Sequence, residues 1–137
     1  MSNPNPFLAA VETVLGGPAS ARNNSPAQLL AQWGQFVEWC QEGYNWDVSE
    51  YMNELSVRER LERLLTAENL QPFPELRELK TRVSEIDARF KEILNPDVQL
   101  PNREYWWERG VLKRAGEQYA KYFRDAHDIQ VEVVDEK

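Results

Sequence analysis

This chain has one cysteine, one histidine and six glycines, and each shortage closes off a class of chemistry. Cys40 stands alone, which excludes an internal disulfide framework. With His127 as the sole histidine, the Cys/His sets that hold zinc are excluded too. No loop has the Asp/Asn/Gly spacing of a calcium hand, so neither a metal nor any other cofactor is expected. Gly16-Gly17 is followed by proline rather than lysine, which removes a phosphate-cradling loop. A nucleophile elbow is missing, and a Ser-His-Asp triad would have to be built on His127 beside the acidic tail. No Glu-x-x-His pair points to a di-metal bundle. Apolar runs stay far short of the roughly 20 residues needed to span a bilayer. Met1 to Asn5 lack the basic flank of a secretory signal, so a cytoplasmic protein is expected. No catalytic residue can be assigned, and a non-enzymatic role is the expectation.

What the chain does have is acid in one block. The net charge is −7 over 137 residues. From Ser25 to Leu55 there are five acids, Glu38, Glu42, Asp47, Glu50 and Glu54, and no lysine or arginine. From Ser56 to Asn95 eight acids meet eight bases, and from Pro96 onward nine acids meet seven. The imbalance therefore gathers in one stretch. Such a surface repels nucleic acid and steers basic partners toward itself.

The length suits one helical domain, 1–137, with an N-terminal helix and loop over 1–24 and an extended acidic tail over 128–137. Phe7, Leu8, Val11 and Leu15 predict a short first helix, stopped by Gly16-Gly17-Pro18 before a small-residue loop reaching Asn24. Ser25-Pro26-Ala27-Gln28 reads as a capping box opening a helix with Leu29, Leu30, Trp33, Phe36, Val37 and Cys40 inward. Gly43 is placed to end it. Asp47 or Ser49 caps a short helix through Leu55, and Ser56-Val57-Arg58-Glu59 opens another. Pro72-Phe73-Pro74 is a stiff hinge. The next helix carries a heptad seam, Leu76, Leu79, Val83, Ile86, Phe90 and Ile93, with Asp87–Lys91 as one of its surface pairs. Asn102 caps a long last helix through Tyr105, Trp106, Leu112, Tyr119, Tyr122 and Phe123. Gly110 and Gly116 inside it imply that a backbone or a large ring comes close. The period-two tail, Asp128 to Asp135, is expected to pair with Val98–Leu100 as a short β-ribbon or to add to a partner's sheet. The fold class is thus an all-α bundle of five or six helices with a short C-terminal ribbon or strand.

The remaining signal is aromatic. Trp33 and Trp106 fit core faces, whereas Trp39, Trp46 and Trp107 lie off the stripes, as do Tyr44 and Tyr51. Large rings beside charges resemble interface hot spots, and the bland alternative is that they lid the bundle. Arg58, the first base after the acidic block, pairs with Glu54 or Asp47 in the plain reading; in the sharper one it joins Asn53 in presenting donors to a bound group. The run Glu42-x-Tyr44, then Tyr51-x-Asn53-Glu54-Leu55-Ser56-x-Arg58, with Trp106-Trp107-x-Arg109, resembles segments of small bacterial helical proteins. That resemblance spans about half the chain; it implies a bacterial origin and attaches no activity.

The leading expectation is a protein-binding inhibitor module, concretely a toxin-neutralising immunity protein, monomeric or weakly dimeric, whose partner has a basic surface. Its contact set is Glu38, Glu42, Tyr44, Trp46, Asp47, Glu50, Tyr51, Asn53, Glu54 and Arg58. One alternative is a small-ligand pocket or enzyme site between residues 44–58 and Trp106, Trp107 and Arg109. Another is a structural subunit that dimerises through the Leu76–Ile93 seam.

Overall fold

The computed structural model describes residues 6–16 and 25–134. The expected loop from Pro18 to Asn24, and the tail residues Asp135 to Lys137, lie outside the described residues. Among the described residues the chain is an all-α bundle of six helices with a small two-stranded sheet near its C-terminal end. No described helix is long and apolar enough to cross a membrane.

The first helix, α1 (Pro6–Leu15), buries Phe7 and Val11 and ends at Gly16, whose φ is 78°. Ten residues are too few for a stable isolated helix. Packing holds it, with the Phe7 ring 5.5 Å from that of Phe73. The second helix, α2 (Pro26–Gly43), starts as expected, with Ser25 Oγ accepting from the Gln28 N–H at 3.5 Å. Its inward face is Leu29, Trp33, Phe36, Val37 and Cys40. Gly43 closes it at φ 101°, a conformation that glycine adopts without strain. Val134 lies against the same residue, so any side chain there would collide with it.

The third helix, α3 (Val48–Thr66), corrects the expected break at Ser56. Asp47 caps it, accepting from the Glu50 N–H at 2.9 Å. Ser56 Oγ then donates to the Asn53 carbonyl at 2.5 Å and caps nothing, so the helix runs through. The buried series Tyr51, Leu55, Arg58, Leu61 and Leu64 keeps one stripe across the junction, and packing against α2 decides the matter. After a 3-10 turn, Glu68–Leu70, Pro74 opens α4 (Pro74–Glu92). Leu76, Leu79, Val83 and Phe90 of its seam are buried inside this chain, so they are not available to hold a second copy.

The expected long last helix is replaced by two shorter ones. A single turn, α5 (Trp106–Arg109), leads into extended chain. There Asn95 N–H donates to Val111 O at 2.8 Å, and Lys113 N–H donates to Ile93 O at 2.9 Å. Helix then resumes as α6 (Glu117–His127). Close approach at the two glycines is real, although the helix around them is not. Leu94 packs on Gly110, and a side-chain carbon on Gly116 would sit 2.8 Å from the Tyr44 carbonyl oxygen.

The ribbon also differs from expectation. Strand β1 (Arg114–Ala115) pairs in parallel with β2 (Glu132–Val133), Arg114 opposite Glu132 and Ala115 opposite Val133. Parallel strands need a crossover, and α6 supplies it. The Val98–Leu100 segment is engaged elsewhere, Leu100 N–H donating to Arg109 O at 2.8 Å. On the other side of β1, Ala115 bridges to Tyr44, and Gly116 N–H donates to the Tyr44 carbonyl at 2.7 Å. The turn after α2 is thereby tied to the C-terminal part of the chain.

Candidate functional site

The acidic stretch folds into the end of α2, a four-residue turn and the start of α3. Glu38, Glu42, Asp47, Glu50 and Asn53 are exposed, and Glu54 is half-buried. None of the five acids forms an ion pair with a described base. Burial, and secondly the neighbouring Glu50 charge, hold the Glu54 carboxyl above the ordinary glutamate range. Asn53 and Glu54 line a small polar depression with Gln32 and Arg60. Among these acids stands Trp46, 44% exposed. Its inner side packs on Trp39 (centroids 4.9 Å apart) and on Tyr44 (5.4 Å), so the ring is held in place.

Tyr44 and Tyr51 belong to the core instead of the surface, each only 1% exposed, and they offer a partner no anchor. They form an aromatic cluster with Phe36 and Tyr119, the Tyr51 and Tyr119 rings 4.8 Å apart. The Tyr119 hydroxyl accepts from the Leu112 N–H at 3.0 Å. Burial pushes the Tyr44 and Tyr51 phenols above their usual range. Cys40 is buried beside them, and burial followed by the Glu54 charge raises its thiol well above normal. A thiol kept protonated in this way is a packing group and a poor nucleophile.

Arg58 is the residue that sequence reasoning placed least well. It turns inward, 4% exposed, and partners neither Glu54 nor Asp47. Its Nε and Nη2 donate to Asp87 Oδ1 and Oδ2 at 2.9 and 2.8 Å, a bidentate pair. Nη1 donates to Glu62 at 3.0 Å, and the guanidinium lies 4.3 Å from the Trp107 ring centre. Trp33 Nε1 donates to Asp87 Oδ1 at 3.0 Å. This clasp joins α2, α3, α4 and α5 through their side chains. Asp87 is therefore not the surface partner of Lys91, whose ammonium lies 4.6 Å from the Trp106 ring centre.

The structure does bring residues 44–58 and 106–109 together, but as core. Trp107 is buried under Arg58, its ring stacked on Tyr105 at 4.5 Å. Arg109 donates to the carbonyls of Arg103 and Glu104, both at 3.0 Å, and so fixes its own loop. Trp106 is half-buried. Arg58 is thus engaged inside the bundle and Arg109 within its own loop. Among the described residues, no group of three or more His, Cys, Asp or Glu side chains could hold a metal ion.

Sequence reasoning missed Asp87 and Glu62 as partners of Arg58 and Trp33 as a donor, and it grouped Tyr122 with the apolar residues of the last helix, where the ring is instead exposed. A signal for the clasp was present: Arg58 sits on the stripe of Leu55 and Leu61, and Asp87 lies between Val83 and Phe90 at helical spacing. Opposite charges on two apolar stripes mark a buried pair.

Comparison with family models, with curated proteins and with solved structures gives no match. The functional reading therefore rests on the chemistry of the acidic aromatic face.

Proposed function

We propose that this is a non-enzymatic, cytoplasmic protein-binding module that caps a basic surface of another protein, in the manner of a toxin-neutralising immunity protein. The observation that carries the reading is the face of Trp46, an exposed but firmly seated indole in a stretch of five acids that have no basic partner among the described residues. Unpaired charge of one sign speeds encounter with a basic protein, and a rigid ring supplies contact area at low entropic cost. Tyr44, Tyr51 and Arg58 leave the contact set, because the core occupies them. Glu38, Glu42, Trp46, Asp47, Glu50, Asn53 and Glu54 remain.

The test is affinity capture from host lysate at low and high salt, followed by binding kinetics with the captured protein. A stoichiometric basic partner released by salt is expected. Replacing the five acids by their amides should slow association about tenfold or more at low salt and flatten its salt dependence, because electrostatic steering raises on-rates by about 10–10³. An unchanged on-rate would overturn the steering claim.

A further inference from the structure

Where the C-terminal ends of α2 and α4 meet β1, the chain leaves a half-enclosed cavity of about 100 Å³. Its apolar walls are Cys40, Ile93 and Val134. Backbone pairing sets two of them in place: Lys113 N–H donates to Ile93 O, and Val134 N–H donates to Ala115 O, both at 2.9 Å. Gly43, also in the lining, has no side chain, and Val134 packs against it. Two charged residues stand at the rim, Glu92 and Lys113, both exposed. Neither is in an ion pair among the described residues. The other polar groups of the lining are engaged. Arg114 Nε lies 2.7 Å from Glu132, and Gln41 accepts from Arg89 Nη2 at 2.9 Å.

We propose that this cavity binds a small aliphatic α-amino acid, its side chain against Cys40, Ile93 and Val134, its carboxylate on the Lys113 ammonium and its ammonium on the Glu92 carboxylate. Size sets the side chain. An apolar cavity of about 150 Å³ takes benzene, so one of about 100 Å³ takes about four carbons, the α-carbon and isopropyl group of valine. Wall chemistry sets its polarity, because a protonated thiol packs as a small hydrophobe beside Ile93 and Val134. The rim sets the rest. An unpaired cation and an unpaired anion at one mouth suit a ligand that carries both charges, each forming a charge-assisted hydrogen bond. A simple carboxylate would meet a like charge at Glu92, and a simple amine would meet one at Lys113. The lining shares no residue with the contact set of the Trp46 face, so this inference is independent of the protein-binding reading.

The probe is valine, compared with isovalerate and isobutylamine, which keep the branched chain and lack the ammonium and the carboxylate respectively. Each is titrated into the methyl-labelled protein at low salt and followed by NMR. The Ile93 and Val134 methyl signals, identified by their loss in Ile93→Val and Val134→Ala, are expected to move with valine. Valine should bind about tenfold more tightly than either control, the range of one hydrogen bond to a charged group. Lys113→Met should bring valine down to the affinity of isobutylamine, and Glu92→Met to that of isovalerate. Neither change should lower the melting temperature, since both side chains are exposed and in no ion pair among the described residues. Equal affinity for all three compounds would overturn the amino-acid assignment. So would Ile93 and Val134 methyl signals that stay unmoved by valine.

Discussion

The molecule holds charge in two opposite ways. In the clasp, Arg58, Asp87, Glu62 and Trp33 satisfy one another inside the bundle, with hydrogen bonds of 2.8 to 3.0 Å. On the Trp46 face, five carboxylates stand in one stretch with no described base paired to them. Burial explains the difference. A charge taken from water needs a partner with good geometry, whereas one left in water tolerates like neighbours at small cost. The clasp therefore holds helices to one another, and the carboxylates of the face stay in water.

That contrast can be broken from the buried side first. Asp87→Ala should cost about 3–5 kcal/mol, since Arg58 would be left buried without its bidentate partner. The paired replacement Arg58→Leu with Asp87→Leu should recover most of that loss in chemical denaturation. If single and double replacements are equally destabilised, the ion pair is not what the single change removed. Next comes Trp33→Phe, which deletes one donor to Asp87 while keeping most of the packing. It should cost about 1–2 kcal/mol, the range of a lost hydrogen bond to a charged group.

The smallest effect belongs to the face and has the opposite sign. The Glu54 carboxyl is raised in the folded state, so it releases its proton less readily there than in the unfolded chain. Its contribution to stability is fullest below the ordinary glutamate range and falls as pH rises through the raised value. Glu54→Gln should thus be slightly more stable than the natural chain at pH 7, with the advantage vanishing as the solution is acidified. Melting temperatures measured against pH would check this, and a Glu54→Gln protein that is less stable at neutral pH would contradict it. Replacing a clasp member and replacing a face member should move stability in opposite directions.

Elements whose pattern repeats were legible in the chain. The seam from Leu76 onward predicts α4, and Ser25-Pro26 and Gly43 mark both ends of α2, because each signal is local. Ser56 misled because a capping box within a continuing apolar stripe yields to packing. The last third was read as one helix because Tyr105, Trp106 and Leu112 imitate helical spacing. Pairing of residues 109–113 with 93–100 and closure of β1 on β2 are long-range events with no local signature. At the site, Trp46 and the acids were visible as a composition shift. The inward turn of Tyr44, Tyr51 and Arg58 was not, since it depends on where α6 and α4 place Tyr119 and Asp87.

The fastening of Tyr44 to β1 and of β1 to β2 also sets an order in time. A chain leaving the ribosome can pack α2, α3 and α4 together early, since their mutual contacts are complete by residue 92. The turn that carries Trp46 is different. Its Tyr44 carbonyl waits for Gly116, and β1 waits for Glu132 and for Val134, whose N–H donates to Ala115 O at 2.9 Å. The Trp46 turn is thus completed only when residues 114–134 are in place. A chain in which β2 has not yet paired with β1 holds its α2–α3–α4 packing before it holds this turn.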